Sequence, residues 1–463
     1  MHVFDPHKAT DMVQLPLSYL LVEALETLYA RVSHSKRPAD REVTAFLRQQ
    51  KRIDRKERDF LAKTTYGIIR RRGLLIEASK ELPFKPDPHS FVLLYLLGWT
   101  HLKPTDLPRP DDQIEPVMEA IARFRKRPPP QNPAEAIAQK HSLPLWLSAA
   151  LIEAWGQEQA PKLAAALKRP PPLTLRVNTL YATRQEVRTM LSRQGVRTSP
   201  TKYSPIGLTV TGHARVMKTQ AFKQGLFEIQ DEGSQLIGLL AEAEPGQCVI
   251  DACAGAGGKT LHLAADMHNK GMLYAMDAYQ HRLSQLKPRA RRARVHNLRF
   301  HAIDKDGTKK LARLKKRADV VLIDAPCSGT GALRRNPDDA WKLQATAPTK
   351  YAAIQAEIIE RYARMVRPGG RLVYATCSLL PQENQQTVEH FLKTHGDTFT
   401  PVPVAQIFDR CASQTPQFPD QSPWMRLAPH LHGTDGFFAA VFERKKPDDQ
   451  PATELQNAPE DTP

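Results

Sequence analysis

The sequence predicts an α/β protein whose main sheet comes late. An all-α stretch is followed by a small α+β segment, then by a parallel sheet with helices on both faces. Three observations predict it. Apolar residues in the first 130 positions recur at helical spacing. Proline-rich breaks punctuate the chain at Arg127-Pro128-Pro129-Pro130-Gln131-Asn132-Pro133 and Lys168-Arg169-Pro170-Pro171-Pro172. From about residue 236, short apolar runs alternate with helical stretches, as in strand–helix–strand units.

In the first stretch, Leu17, Leu20, Leu21, Ala24, Leu25 and Leu28 form one apolar stripe. Asp54 followed by Glu57 predicts a capping box opening a helix through Phe60, Leu61, Tyr66 and Ile68. That helix ends at Arg70-Arg71-Arg72-Gly73, where cations suit the negative helix terminus. Phe91 to Trp99 reads as a buried helix. In the second segment, Leu173 to Val177 reads as a strand and Arg184 to Gln194 as a helix, with a strand pair around 208–210 and 226–229. In the third, strands are expected at Cys248–Ile250, Met272–Met276, Leu298–Ile303, Val320–Ile323 and Arg371–Ala375. The last of these follows a helix over 350–366 and a turn at Pro368-Gly369-Gly370. The polar, acidic tail from 446 to 463 reads as disordered.

Bulk properties narrow the function. The longest apolar run is Phe91 to Leu97, far short of the roughly 18 residues of a membrane span. The N-terminus shows no secretory pattern, so the expectation is a cytosolic protein with no membrane partner. A net charge of +17 favours a polyanionic partner, with an ordinary basic enzyme as the bland alternative. Five cysteines without C-x-x-C spacing speak against a disulfide framework, and 16 histidines show no ligand spacing, so no metal is expected.

The turn Cys253-Ala254-Gly255-Ala256-Gly257-Gly258-Lys259 follows a strand and opens a helix, where small residues and free N–H groups admit a ligand. A P-loop fits Gly258-Lys259-Thr260 but has Cys253 at its first glycine position. A nicotinamide turn fits Gly255 and Gly257 but has Thr260 at its third. A methyltransferase turn tolerates this sequence and wants an acid on the next strand end, which Asp277 supplies. Two cysteines lie just beyond strand ends, in Asp324-Ala325-Pro326-Cys327-Ser328-Gly329-Thr330-Gly331 and Tyr374-Ala375-Thr376-Cys377-Ser378. Either alone reads most simply as a core thiol. Both at carboxyl strand ends of one sheet point to chemistry, because ligands bind there.

These segments, with Arg334-Arg335-Asn336-Pro337-Asp338, Glu383-Asn384 and Asp435-Gly436-Phe437-Phe438, resemble the RNA cytosine-5 methyltransferase family of the Sun and Nop type. The bacterial branch acting on 16S ribosomal RNA is the most similar. The resemblance implies a Rossmann-like class I methyltransferase domain over 236–445 using S-adenosyl-L-methionine. Cys377 would be the nucleophile and Cys327 would help release the product. Cys253, Ala254, Gly255, Ala256, Gly257, Gly258, Lys259, Asp277, Asp304 and Asp324 would line the cofactor site, and Asp324 would also face the base. A thiol suits this chemistry: its addition to carbon 6 makes carbon 5 nucleophilic. Ala256 stands where the family usually has proline, which predicts modestly looser cofactor binding.

Upstream, Asp54 to Gly73 resembles a NusB-like helical RNA-binding domain, assigned to 1–133. Pro144-Leu145-Trp146-Leu147, Leu175-Arg176-Val177-Asn178 and Gln230-Asp231-Glu232-Gly233-Ser234 resemble an RRM-like segment, assigned to 134–235. RNA contacts are expected at Arg334 and Arg335 beside the catalytic loop, and at Lys287 and Arg291, where a solvated helix face is the alternative. A monomer is expected. The rivals are a transfer RNA or DNA cytosine methyltransferase, and a non-catalytic RNA-binding assembly factor.

Overall fold

The computed structural model describes residues 16–50, 52–108, 111–212, 214–303, 312–418 and 422–446. Asp304 and all of the expected tail except Lys446 lie outside them. The chain divides into two compact units: Met1–Pro171 with Gly329–Ala347, and Pro172–Ser328 with Pro348–Pro463.

The first unit is helical: α1 (Tyr19–His34), α2 (Ala39–Gln49), α3 (Arg55–Arg70), α4 (Arg72–Ser79), α5 (Pro88–Trp99), α6 (Ile114–Lys126), α7 (Pro133–His141) and α8 (Leu145–Lys168). Its caps follow the local sequence. Asp54 accepts from Glu57 N at 2.8 Å while the Glu57 side chain accepts from Asp54 N, the expected capping box. In α1, Leu21, Leu25 and Leu28 are buried, but Leu20 is 74% exposed and lies off the predicted stripe. The apolar α5 is buried among α1, α3 and α6, as its composition predicts. Helices α7 and α8 pack within this unit. Gly73 N donates to Ser142 Oγ at 2.7 Å, at the left-handed end of α7. The stretch 329–347 belongs here too: Ala39 N donates to Asp338 Oδ2 at 2.9 Å, and Lys342 Nζ holds the same carboxylate at 2.7 Å.

The second unit holds two sheets among the described residues. The smaller is antiparallel, in the order β2 (Thr198–Pro200), β3 (Gly207–Val210), β1 (Thr174–Val177), β4 (Phe227–Ile229). It packs on α9 (Arg184–Arg193) through Leu175, Val177, Val187, Leu191 and Phe227. The larger runs through β9 (Val366–Thr376), β8 (Ala318–Asp324), β5 (Cys248–Asp251), β6 (Met272–Asp277) and, at one edge, β7 (Leu298–Ala302), all parallel. Successive side chains alternate between two apolar cores. Val249, Leu273, Leu322 and Val373 face one, and Ile250, Met276, Val321 and Tyr374 the other. Helices α11 (Glu232–Leu240), α12 (Gly258–Asp266) and α13 (Gln280–Arg292) serve the first face, and a helix at Ala347–Ala363 the second.

Two expectations are corrected. The sheet is mixed, because β12 (Phe437–Arg444) pairs antiparallel with β9, and β10 (Phe399–Val402) and β11 (Met425–Leu427) pair with β12. The last strand also starts earlier than expected. Pro368-Gly369-Gly370 lies inside β9, where the register with β8 shifts between Ala318 and Val320, instead of forming a separate turn.

Candidate active site

The site forms at the carboxyl ends of β5, β6, β8 and β9. The turn after β5 is anchored by backbone: Ala252 N donates to Leu322 O and Ala254 N to Met276 O, each at 2.8 Å. Gly255 and Gly257 take φ of +55° and +88°. A Cβ on Gly257 would stand 2.0 Å from Leu286 Cδ1 on α13, so the second glycine is required by both conformation and space. Asp277 accepts from Gly255 N at 2.9 Å and from Tyr279 N at 2.8 Å, tying the turn to the next strand end. Arg289 donates to Ala256 O at 2.6 Å from α13. Lys259 pairs with Asp324 at 2.7 Å, with the Lys259 ammonium 5.7 Å from the Phe437 ring centroid. Beneath the turn, burial pushes the carboxyl of Asp251 up to about 7, against a hydrogen bond from Thr260 Oγ1 at 2.6 Å.

The two cysteines named from the sequence come together. Cys327 Sγ and Cys377 Sγ are 3.3 Å apart, on the loops leaving neighbouring strands β8 and β9. Among the other three cysteines, burial pushes the thiols of Cys248 and Cys253 up, Cys253 well up, and that of Cys411 up to about 11. Cys253 packs against the core of Ile250 and Met276, in the turn after β5.

Of the four expected RNA contacts, Lys287 and Arg291 stand exposed on α13, and Arg335 is half-buried. Arg334 is 4% exposed, leaving its side chain little surface for a phosphate. Several residues of the site carried no sequence-based role. Ser328 and Ser378 directly follow the two cysteines and share the carboxylate of Glu383, which the Glu383-Asn384 match could have flagged. Asn384 holds Thr376 Oγ1 at 2.6 Å and donates to Ser378 O at 2.9 Å, bracketing Cys377. The motif residues Asp231 and Asp435 act structurally: Asp231 caps α11 at Gly233 N and accepts from Asp435 N at 3.2 Å. Among the described residues, no group of three or more His, Cys, Asp or Glu could hold a metal, and no helix is long and apolar enough to cross a membrane.

Comparison with known proteins settles the lineage. A family profile described as 16S rRNA methyltransferase RsmB/F matches residues 238–443. A ribosomal RNA small subunit methyltransferase B from Pectobacterium atrosepticum is 30% identical, over 84% of this chain and 91% of that protein. The chain belongs to the RsmB/F family of RNA methyltransferases. A second profile, described as the ferredoxin-like domain of RsmF/B-like methyltransferases, matches residues 143–217 and covers β1 to β3. A probable ribosomal RNA small subunit methyltransferase B from Bacillus subtilis is 31% identical, over 68% of this RsmB/F chain and 69% of that protein. Among solved structures, a methyltransferase homolog protein from Pyrococcus horikoshii matches with a TM-score of 0.55 and 28% identity, over 67% of this chain and 97% of that one. The solved protein PH0851 matches at TM-score 0.75 and 26% identity, over 93% of this chain and 99% of that one.

Proposed function

We propose that this RsmB/F enzyme methylates carbon 5 of a cytosine in 16S ribosomal RNA, with Cys377 as nucleophile, Cys327 aiding product release and S-adenosylmethionine as methyl donor. The 3.3 Å approach of two thiols on adjacent strand ends beside a glycine turn carries this reading. The names of the relatives support the substrate class.

The turn suits the donor. Gly255 and Gly257 adopt positive φ, Gly258 has no neighbour within 3.8 Å of a built Cβ, and Asp277 stands on the next strand end for ribose hydroxyls. Asp304 is a further candidate contact from its sequence position alone. S-adenosylmethionine supplies an electrophilic methyl group when bound. The Cys377 thiolate adds to carbon 6 of the base, which makes carbon 5 nucleophilic. After transfer, the carbon 5 proton leaves to a base and the sulfur–carbon 6 bond breaks, returning the thiolate, with Cys327 assisting. Asp324, with Lys259 on one oxygen, would accept from the amino group of the ring, and from N3 once that nitrogen is protonated. Lys287, Arg291 and Arg335 would meet phosphates, and a NusB-like helical region with the ferredoxin-like segment would dock the RNA. The enzyme would act as a cytosolic monomer without a metal.

The test uses Cys327→Ala protein with 16S ribosomal RNA and S-adenosylmethionine on a denaturing gel. A covalent RNA adduct is expected, and a further Cys377→Ala removes it. An absent adduct, or one that survives Cys377→Ala, sinks the assignment of roles. Bisulfite mapping of ribosomal and transfer RNA from cells with and without the gene separates the two substrate classes.

A further inference from the structure

Glu383 is fully buried, at the end of a 3₁₀ turn over Pro381–Glu383. A charged residue in that setting needs partners, and Glu383 has them on both cysteine loops. Its Oε1 accepts from Ser328 N at 2.7 Å and from Gln355 Nε2 at 3.3 Å. Its Oε2 accepts from the hydroxyls of both Ser328 and Ser378, which stand 3.3 Å apart. Gln355 also donates to Pro326 O at 2.9 Å, on the residue preceding Cys327. Tyr374 OH donates to Glu383 O at 2.7 Å, fixing the turn to β9 itself. One carboxylate thus binds the residue after Cys327 and the residue after Cys377. Ser328 N and Gln355 Nε2 can only donate, to Oε1, while the two hydroxyls at Oε2 can give or take a proton. Burial pushes its pKa up, while the hydrogen bonds from Ser328 and Ser378 oppose the shift.

We infer that Glu383 is a positioning residue that locks the Cys327 loop to the Cys377 loop, so that the two thiols work as a pair. The carboxylate takes no part in the covalent steps. Its work is geometric: a shift of about 1 Å in a reacting group costs on the order of a hundredfold in rate. The inference rests on the proposed division of labour only for its effect on turnover, since the pairing of the thiols is a property of the free enzyme.

The experiment has two arms on the full chain. In the first, reduced enzyme is treated with diamide, which takes two electrons and two protons from a pair of thiols to leave a disulfide and a hydrazine. Peptide mapping follows the Cys327–Cys377 link. Glu383→Ala should form it at least roughly tenfold more slowly than wild type, with Glu383→Gln between them, at unchanged circular dichroism. In the second arm, methyl-transfer assays should show kcat falling with KM for S-adenosylmethionine held within about twofold. The RNA adduct should accumulate in Glu383→Ala as it does in Cys327→Ala. Cross-linking at the wild-type rate in Glu383→Ala overturns the inference. Should Glu383→Ala fail to fold, the double variant Ser328→Ala/Ser378→Ala decides the matter by the same rate. A Cys327→Ala enzyme that forms no adduct overturns the proposed catalytic roles alone, since the diamide arm reads the lock without substrate.

Discussion

Glu42 and His89 in the helical unit and Asp251 and Cys253 in the sheet unit handle charge in opposite ways. In the helical unit an embedded acid is matched on the spot. Glu42, 3% exposed, accepts from Arg31 at 2.6 Å and from Ser35 at 3.0 Å, and the Arg31 hydrogen bond leads in holding its carboxyl below the usual range. His89 bridges Glu26 at 2.7 Å and Asp111 at 2.6 Å and is raised to about 9, chiefly by the hydrogen bond to Glu26. In the sheet unit, burial dominates at Asp251 and Cys253, at the end of β5 and in the turn after it, and at Asp266, the last residue of α12. Asp251 and Asp266 are both pushed up to about 7, and Cys253 well above its usual value. Burial dominates at the strand end beside the glycine turn, and charge pairing dominates at Glu42 and His89.

The contrast can be broken at three points. The largest effect is expected at Gly257→Ala. Positive φ and the contact with Leu286 together should cost about 2–3 kcal/mol of stability and weaken cofactor binding by at least tenfold, read by denaturant unfolding and calorimetric titration with S-adenosylhomocysteine. A silent substitution would mean that the turn is not strained. Next is Asp251→Asn. Its folded pKa near 7 lies above the ordinary 3.8, so the folded state holds the proton more tightly. Its contribution is full below about pH 4 and is lost as pH rises through 7, so the wild-type unfolding free energy should fall over that window. Asp251→Asn should flatten the slope and gain on the order of 1 kcal/mol at pH 8. An unchanged slope would refute burial as the dominant cause. The smallest effect is Asp54→Ala, which removes one cap of α3 and should cost about 1 kcal/mol with no change in KM for the cofactor, measured by thermal unfolding and steady-state assay.

What the sequence disclosed follows the same line. The Asp54–Glu57 box, the buried α5 and the strands ending at Asp277 and Asp324 were legible because their causes lie within a few residues. The two cysteines were legible as strand-end residues. Their 3.3 Å approach depends on β8 pairing with β9, a long-range fact. The antiparallel flank was missed because Phe437–Arg444 is an apolar run whose partner, β9, lies some sixty residues upstream, and periodicity does not name partners. Glu383 was quoted without a role because a lone acid in a polar stretch reads as a surface residue, and only tertiary contacts reveal its burial. The placement of 329–347 among the helices was equally hidden, since Asp338 meets Ala39 across most of the chain.

The position of β12 bears on how the molecule is made. Its Phe438 stands opposite Thr376, the residue before Cys377, so the strand that leads to Cys377 has one bare edge until residues 437–444 have been synthesised. Translation proceeds from the N-terminus, so α1 to α8 and β5 to β7 emerge first, and the 329–347 stretch of the helical unit follows only after β8. That edge is finished last, by a strand that joins it only after the glycine turn, Cys327 and Cys377 are already out. An exposed apolar edge at that stage invites wrong pairing, and the late arrival of β12 makes the final strand the step at which a nascent chain becomes a working enzyme.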